Sequence, residues 1–159
     1  MQGPSRIYLD DNGNQILVAD GKLYKVWTDF FTYQVPVFTN LAALVGTATN
    51  QVVIQADSDF EWCHAAYEFD LAATQTDYST RRLPNMTILI TDSGSGRQLS
   101  NAAVPVMSIF GRPEMPYALP VTKVFKANST INFTAVNFDA AVATGNLRLS
   151  LIGYKIFYF

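Results

Sequence analysis

The run Ser129–Phe138, STINFTAVNF, alternates clearly over its first part. Ile131, Phe133 and Ala135 fall on one side, and Thr130, Asn132 and Thr134 on the other. An extended strand places residues two apart on the same side, so this run predicts a strand with one face in a core. The same period returns in residues 146–159, NLRLSLIGYKIFYF, where Leu147, Leu149 and Leu151 oppose Arg148 and Ser150. Further apolar runs precede them in the chain. They are QVVIQA from Gln51, the stretch Asp59–Ala72, MTILITD over Met86–Asp92, VPVMSIF ending at Phe110, and PVTKVFK ending at Lys126. Turns rich in Gly, Pro, Asn and Asp separate them. Seven or eight strands at this spacing, with no alternation of helices, predict an all-β fold. A jelly-roll-like antiparallel β-sandwich fits best. The best helical candidate is residues 40–48, NLAALVGTA, which Gly46 and Thr47 would end within two turns.

Residues 1–34 read differently. Two turn signals, Asp11–Asn14 and Ala19–Lys22, separate short apolar runs, and an Asp-Gly pair between such runs is a hairpin signal. The segment is too aromatic for a free tail, with Tyr8, Tyr24, Trp27, Phe30, Phe31 and Tyr33. It is expected to be an arm that reaches another subunit, or else a hairpin folded on its own sandwich, with residues 35–159 forming the sandwich domain. The aromatic closing strand must also be paired, because left at an edge it would promote aggregation.

Charge is sparse. Charged residues make up 15% of the chain and hydrophobic ones 49%, against roughly 25% charged in an average soluble domain. Such a surface suits contact with other protein. Residues 1–80 hold ten acids and three bases (−7), and residues 81–159 three acids and eight bases (+5). The halves either neutralise each other within the fold or form complementary patches on neighbouring subunits. The bases are scattered, so no nucleic-acid footprint is expected. No apolar stretch is long enough to span a bilayer. The first residues lack a signal pattern, which implies synthesis in a cytoplasm.

Few residues offer chemistry. Cys63 and His64 are neighbours, and adjacent strand positions face opposite ways, so they are not expected to act as a nucleophile pair. One Cys and one His make no zinc site. Asp57, Asp59 and Glu61 would share one face of an extended strand, either around a hard cation or, as expected here, beside solvent or basic partners. The Gly-x-Gly of DSGSGR, Asp92–Arg97, has no helix after it to hold a phosphate and is expected to be a hairpin turn. No enzyme activity and no cofactor are expected.

The segment FGRPEMPYALP, residues 110–120, carries three prolines. Proline fixes φ and removes backbone donors, so the segment is stiff before it docks. It is expected either to cross between two sheets or to contact a neighbouring subunit through Met115, Tyr117 and Leu119. Trp27, Phe30 and Phe31 in the N-terminal segment, and the loop pair Arg81 and Arg82, complete the candidate interface residues.

The order of these units resembles that of small virion proteins of tailed bacteriophages. The shared features are the D-x-D-F strand Asp57–Phe60, the D-x-x-x-G-R hairpin Asp92–Arg97, the Pro-rich crossover, the ANSTINF strand from Ala127, and the closing Gly153-Tyr154-Lys155 strand. The resemblance covers residues 51–159 and includes no catalytic motif. It implies a β-sandwich in the virion. The expected role is capsid decoration or cement, or a minor head or neck component, with copies of itself and the major capsid protein as partners. The alternative is a receptor- or glycan-binding β-module of a tail, fibre or neck, using exposed Trp27, Trp62 and tyrosines to stack on sugars.

Overall fold

A computed structural model describes residues 6–19, 21–70, 82–139 and 145–159. These residues form an all-β sandwich of two antiparallel sheets. The strands are β1 (Arg6–Leu9), β2 (Gln15–Ala19), β3 (Lys22–Gln34), β4 (Phe38–Thr39), β5 (Gly46–Val53), β6 (Asp59–Asp70), β7 (Met86–Asp92), β8 (Arg97–Gln98), β9 (Val104–Pro105), β10 (Tyr117–Phe125), β11 (Thr130–Asn137) and β12 (Asn146–Tyr158). The larger sheet runs β1-β2-β3-β12-β6-β10, with β4 also on β12. The smaller runs β5-β11-β7-β8, with β9 also on β7. No helix of the described residues is long and apolar enough to cross a membrane.

The alternating segments form the core as expected. Ile131, Phe133 and Ala135 of β11 face Leu147, Leu149 and Leu151 of β12 across the sandwich, and all six are fully buried. Ile88 and Ile90 of β7 join them from one sheet, and Phe60, Trp62 and Phe69 of β6 from the other. Burying one such side chain contributes roughly 1.5–3 kcal/mol, which is why the alternation fixes both the faces and the register.

β12 is the hub of the larger sheet. It pairs with β3 from Val26↔Tyr158 to Gln34↔Ser150, and with β6 on its other side. β3 is therefore a strand of the chain's own sheet and not a detached arm. Tyr33 is buried in the main core and Phe31 packs against it, so the strand has its partner and its apolar contacts within one chain. The boundary at residue 34 marks no break either, since Val35 N donates to Leu149 O at 2.9 Å. β1 and β2 extend the sheet beyond the sandwich. Leu17, Val26 and Ile156 make a second, small core there, flanked by Ile7 and Tyr24.

Residues 40–48 do not form a helix. Gly46–Val53 pair with β11 at eight consecutive positions, whereas a helix of two turns is marginal in isolation. The preceding loop bends through Asn40, Leu44 and Val45, whose φ values are 52°, 56° and 65°. The run ending at Phe110 is also mostly not strand. Pro105 has no amide hydrogen to donate, and Val106–Ser108 turn as a 3-10 segment that drives Phe110 into the core.

Candidate functional site

The residues of possible catalytic interest do not converge. β6 bulges at Cys63, because Ile152 pairs with His64 while Gly153 pairs with Trp62. The bulge leaves His64 exposed and Cys63 half-buried. The Cys63 thiol reaches Glu61 O at 3.6 Å, and burial, then the Glu61 charge, push it up to about 11. A thiol so protonated at neutral pH is a poor nucleophile.

The three carboxylates go to three different partners. Asp57 lies in a turn before β6, not on the strand, which takes it off the face shared by the other two. It accepts two bonds from Lys155 Nζ, at 2.9 and 3.1 Å. Lys155 is buried, bonds also to Gln55, and lies 4.5 Å over the Phe31 ring. Asp59, on the first residue of β6, accepts from Lys126 Nζ at 2.7 Å, Ala127 N at 2.9 Å and the Tyr158 hydroxyl at 2.8 Å. Burial and the bond to Asp59 hold the Tyr158 hydroxyl protonated well above its ordinary range. Glu61 accepts from Thr122 at 2.6 Å. Among the described residues, no three His, Cys, Asp or Glu side chains are placed to hold a metal ion.

These bonds carry a pH dependence. The Lys155 bonds hold the Asp57 carboxyl below its ordinary 3.8. In the β1–β2 turn, Asp10 is likewise lowered, mainly by Asn14, whose amide and side chain donate to it at 2.7 and 2.9 Å. A depressed folded pKa gives stability that is present above the unfolded value and lost as pH falls through the folded one. Urea midpoints between pH 6 and pH 2 should therefore fall below about pH 4. They should fall less steeply in a D10N/D57N variant. Equal slopes would show that these bonds do not form in solution.

The DSGSGR run is a hairpin turn between β7 and β8. Asp92 accepts from Gly94 N at 3.1 Å and Ser95 Oγ at 2.8 Å, and Gly96 takes φ +66°. Lys123 of β10 stands 3.7 Å from Asp92, which links the two sheets at this end.

The proline-rich segment crosses from β9 in the smaller sheet to β10 in the larger one. Phe110 plugs the core against Trp62. Gly111 then bonds along β6, donating to Ala65 O at 3.0 Å and accepting from Tyr67 N at 2.7 Å. A Cβ on Gly111 would lie 2.3 Å from Met115 O, so the loop closes over this residue because it has no side chain. Pairing with β6 holds at Tyr117 and Ala118, breaks, and resumes at Lys123. Pro120 falls in that break, where its missing donor costs no ladder bond.

The candidate interface residues spread over several surfaces. Trp27 is 57% exposed, with its indole N–H on Asp29 at 2.7 Å. Phe30 is 69% exposed but lies on the opposite face of β3, edge-on to Tyr154. Phe31 is half-buried beneath Lys155. Met115 is 79% exposed at the loop tip, whereas Tyr117 and Leu119 are half-buried and Leu119 packs on the core. Arg82 is exposed, and Arg81 lies outside the described residues. Trp62, expected among the sugar-stacking aromatics, is buried between Phe110 and Phe125. Phe110→Ala should cost about 3–5 kcal/mol in chemical denaturation and Met115→Ser less than about 0.5 kcal/mol. Similar losses from both would mean the loop tip is packed.

The sequence did not single out Val18, Leu23 and Phe159 as exposed, and it suggested exposed tyrosines without placing Tyr8 or Tyr154 among them. The turn signal in the sequence between Ala19 and Lys22 held the clue to Tyr8, Val18 and Leu23. A tight hairpin there pairs Val18 with Leu23, and with β1 added it puts Tyr8 on the same face.

No protein-family model matches the chain, and no curated protein matches it. Among solved structures, the infectious bursal disease virus VP2 subviral particle aligns with 96% of this chain at 13% identity and a TM-score of 0.30. The chain spans 41% of the length of that protein. A superposition so loose carries no argument about what the chain does.

Proposed function

We propose that this chain is a structural virion protein of a tailed bacteriophage, a capsid decoration or cement protein that strengthens the shell by burying surface between neighbouring subunits. One observation carries the reading. Large apolar side chains stand exposed on several separate faces, among them Leu23, Phe30, Val53, Met115 and Val121, while Asp57 and Asp59 of the first half pair with Lys155 and Lys126 of the second. A surface with several apolar patches, on a chain only 15% charged, suits a component held on more than one side. The phage assignment is supported by the motif order over residues 51–159. The partners are other copies of the chain and the major capsid protein, in a virion assembled in the host cytoplasm. No catalysis, nucleic-acid binding or membrane insertion is part of the reading.

The test is made on purified particles. Mass spectrometry should find the chain in stoichiometric amount, and cryo-electron microscopy should place it across shell subunits. Particles lacking it should break at lower temperature. Intact particles without the chain would overturn the reading. Exposed Trp27, its N–H held by Asp29, favours the glycan-binding alternative. Saturable quenching of its fluorescence by host-surface oligosaccharides would support that alternative.

A further inference from the structure

The β1-β2-β3 extension has two faces, and the strand registers assign each residue to one. Ile7, Leu17, Tyr24, Val26 and Ile156 share the face that closes the small core. The other face carries Tyr8, Val18, Leu23 and Trp27, and Phe159 ends beside it, its amide donating to Lys25 O at 3.2 Å. All five are exposed, Leu23 at 71% and Phe159 at 80%. The smaller sheet does not extend over this face. Contiguous apolar area of this kind marks a contact surface.

On the same face of β3, Lys25 and Asp29 flank Trp27, each two residues away. Their Cα atoms stand about 6.5–7 Å to either side of it along the strand. This order is self-complementary. A two-fold axis at Trp27, with two β3 strands crossing antiparallel, sets Lys25 against the second copy's Asp29 and Asp29 against the second copy's Lys25. An isologous interface requires this reciprocity. Trp27 then sits at the centre as the buried anchor typical of such contacts, with Phe159 beside it and the Leu23–Val18 pair of each copy about 13 Å away along the strand, towards the two ends.

We propose that this face is an interface between two copies of the chain, centred on Trp27. The proposal rests on the self-association within the function proposed above, and names the surface that performs it. The test is sedimentation of the full-length chain over a dilution series, with each variant's thermal transition checked. Wild type should dimerise reversibly. Trp27→Ser, Lys25→Asp and Asp29→Lys should each weaken the dimer at least tenfold. The double exchange K25D/D29K should recover most of the loss, because it restores both cross-pairs. A measurement on the unaltered chain runs beside this. Acrylamide quenching of Trp27 should fall as concentration rises, with buried Trp62 contributing little at any concentration. If wild type dimerises but the variants and the quenching show no change, the face is wrong while self-association stands. If wild type is monomeric at all concentrations, both fail. A double exchange no better than either single one would overturn the two-fold arrangement.

Discussion

Gly153→Ala should lower stability by about 3 kcal/mol or more, the upper part of the range for inserting a methyl into packed structure. The site leaves no room for less. An added Cβ would lie 1.8 Å from Glu61 O and 2.9 Å from Glu61 C. Both are backbone atoms of the adjoining strand, which cannot rotate away as a side-chain tip can. The crowding arises where β6 bulges at Cys63, so the change would disturb the pairing of the two longest-paired strands in the larger sheet. A melting temperature lowered by roughly 6–12 °C is expected for a chain of this size. Gly96→Ala is the control. Its φ of +66° disfavours a side chain, but nothing lies within 4 Å of the added atom. That change should cost only about 1 kcal/mol. Equal costs at the two glycines would mean that the close approach of β6 and β12 relaxes in solution.

Removal of residues 1–34 should abolish cooperative folding, whereas removal of residues 1–21 should not. The longer deletion takes away all of β3. It strips one edge of β12 from Val26↔Tyr158 to Gln34↔Ser150 and removes Tyr33, whose hydroxyl accepts from Gln55 N at 2.9 Å within the core layer. An aromatic strand with an open edge would then aggregate. The shorter deletion removes β1 and β2 and uncovers Val26 and Ile156, so it should keep a single transition at reduced temperature. Calorimetry of both truncations checks this. A 35–159 chain with its full cooperative transition would show that β3 leaves the sheet in solution, and would restore the arm reaching a neighbour.

The sandwich was legible where apolar spacing was regular. STINFTAVNF and NLRLSL declare their buried faces because each strand has one wet side, and Met86–Asp92 is found at the bounds read from the sequence. Legibility failed where partners chose the conformation. Residues 46–48 read as the end of a helix because Ala and Leu precede them, yet β11 offers an open edge that takes up Gly46–Val53. The bulge at Cys63 was invisible because it reflects Gly153, ninety residues further on, where β12 presses against β6. Asp57, Asp59 and Glu61 looked like one cluster because their spacing was regular. A turn at Asp57 and separate basic or hydroxyl partners disperse them. Of the surface candidates, Trp27 was legible as an exposed aromatic. Its neighbours were not, since only the pairing of β1 and β2 gathers Tyr8, Val18 and Leu23 beside it.

The central place of β12 also bears on biosynthesis. It is the last described strand in chain order, yet it lies between β3 and β6. Until a ribosome has released residues 146–158, β3 and β6 have no strand between them, and the inner layer lacks Leu147, Leu149 and Leu151. Pairings of such long sequence separation form slowly, and the unpaired edges can meet those of other nascent chains first. Translation of this protein should therefore yield a vulnerable intermediate for as long as the closing strand is unmade. Slowing synthesis would lengthen that exposure rather than relieve it, the reverse of what holds for chains that fold domain by domain from the N-terminus.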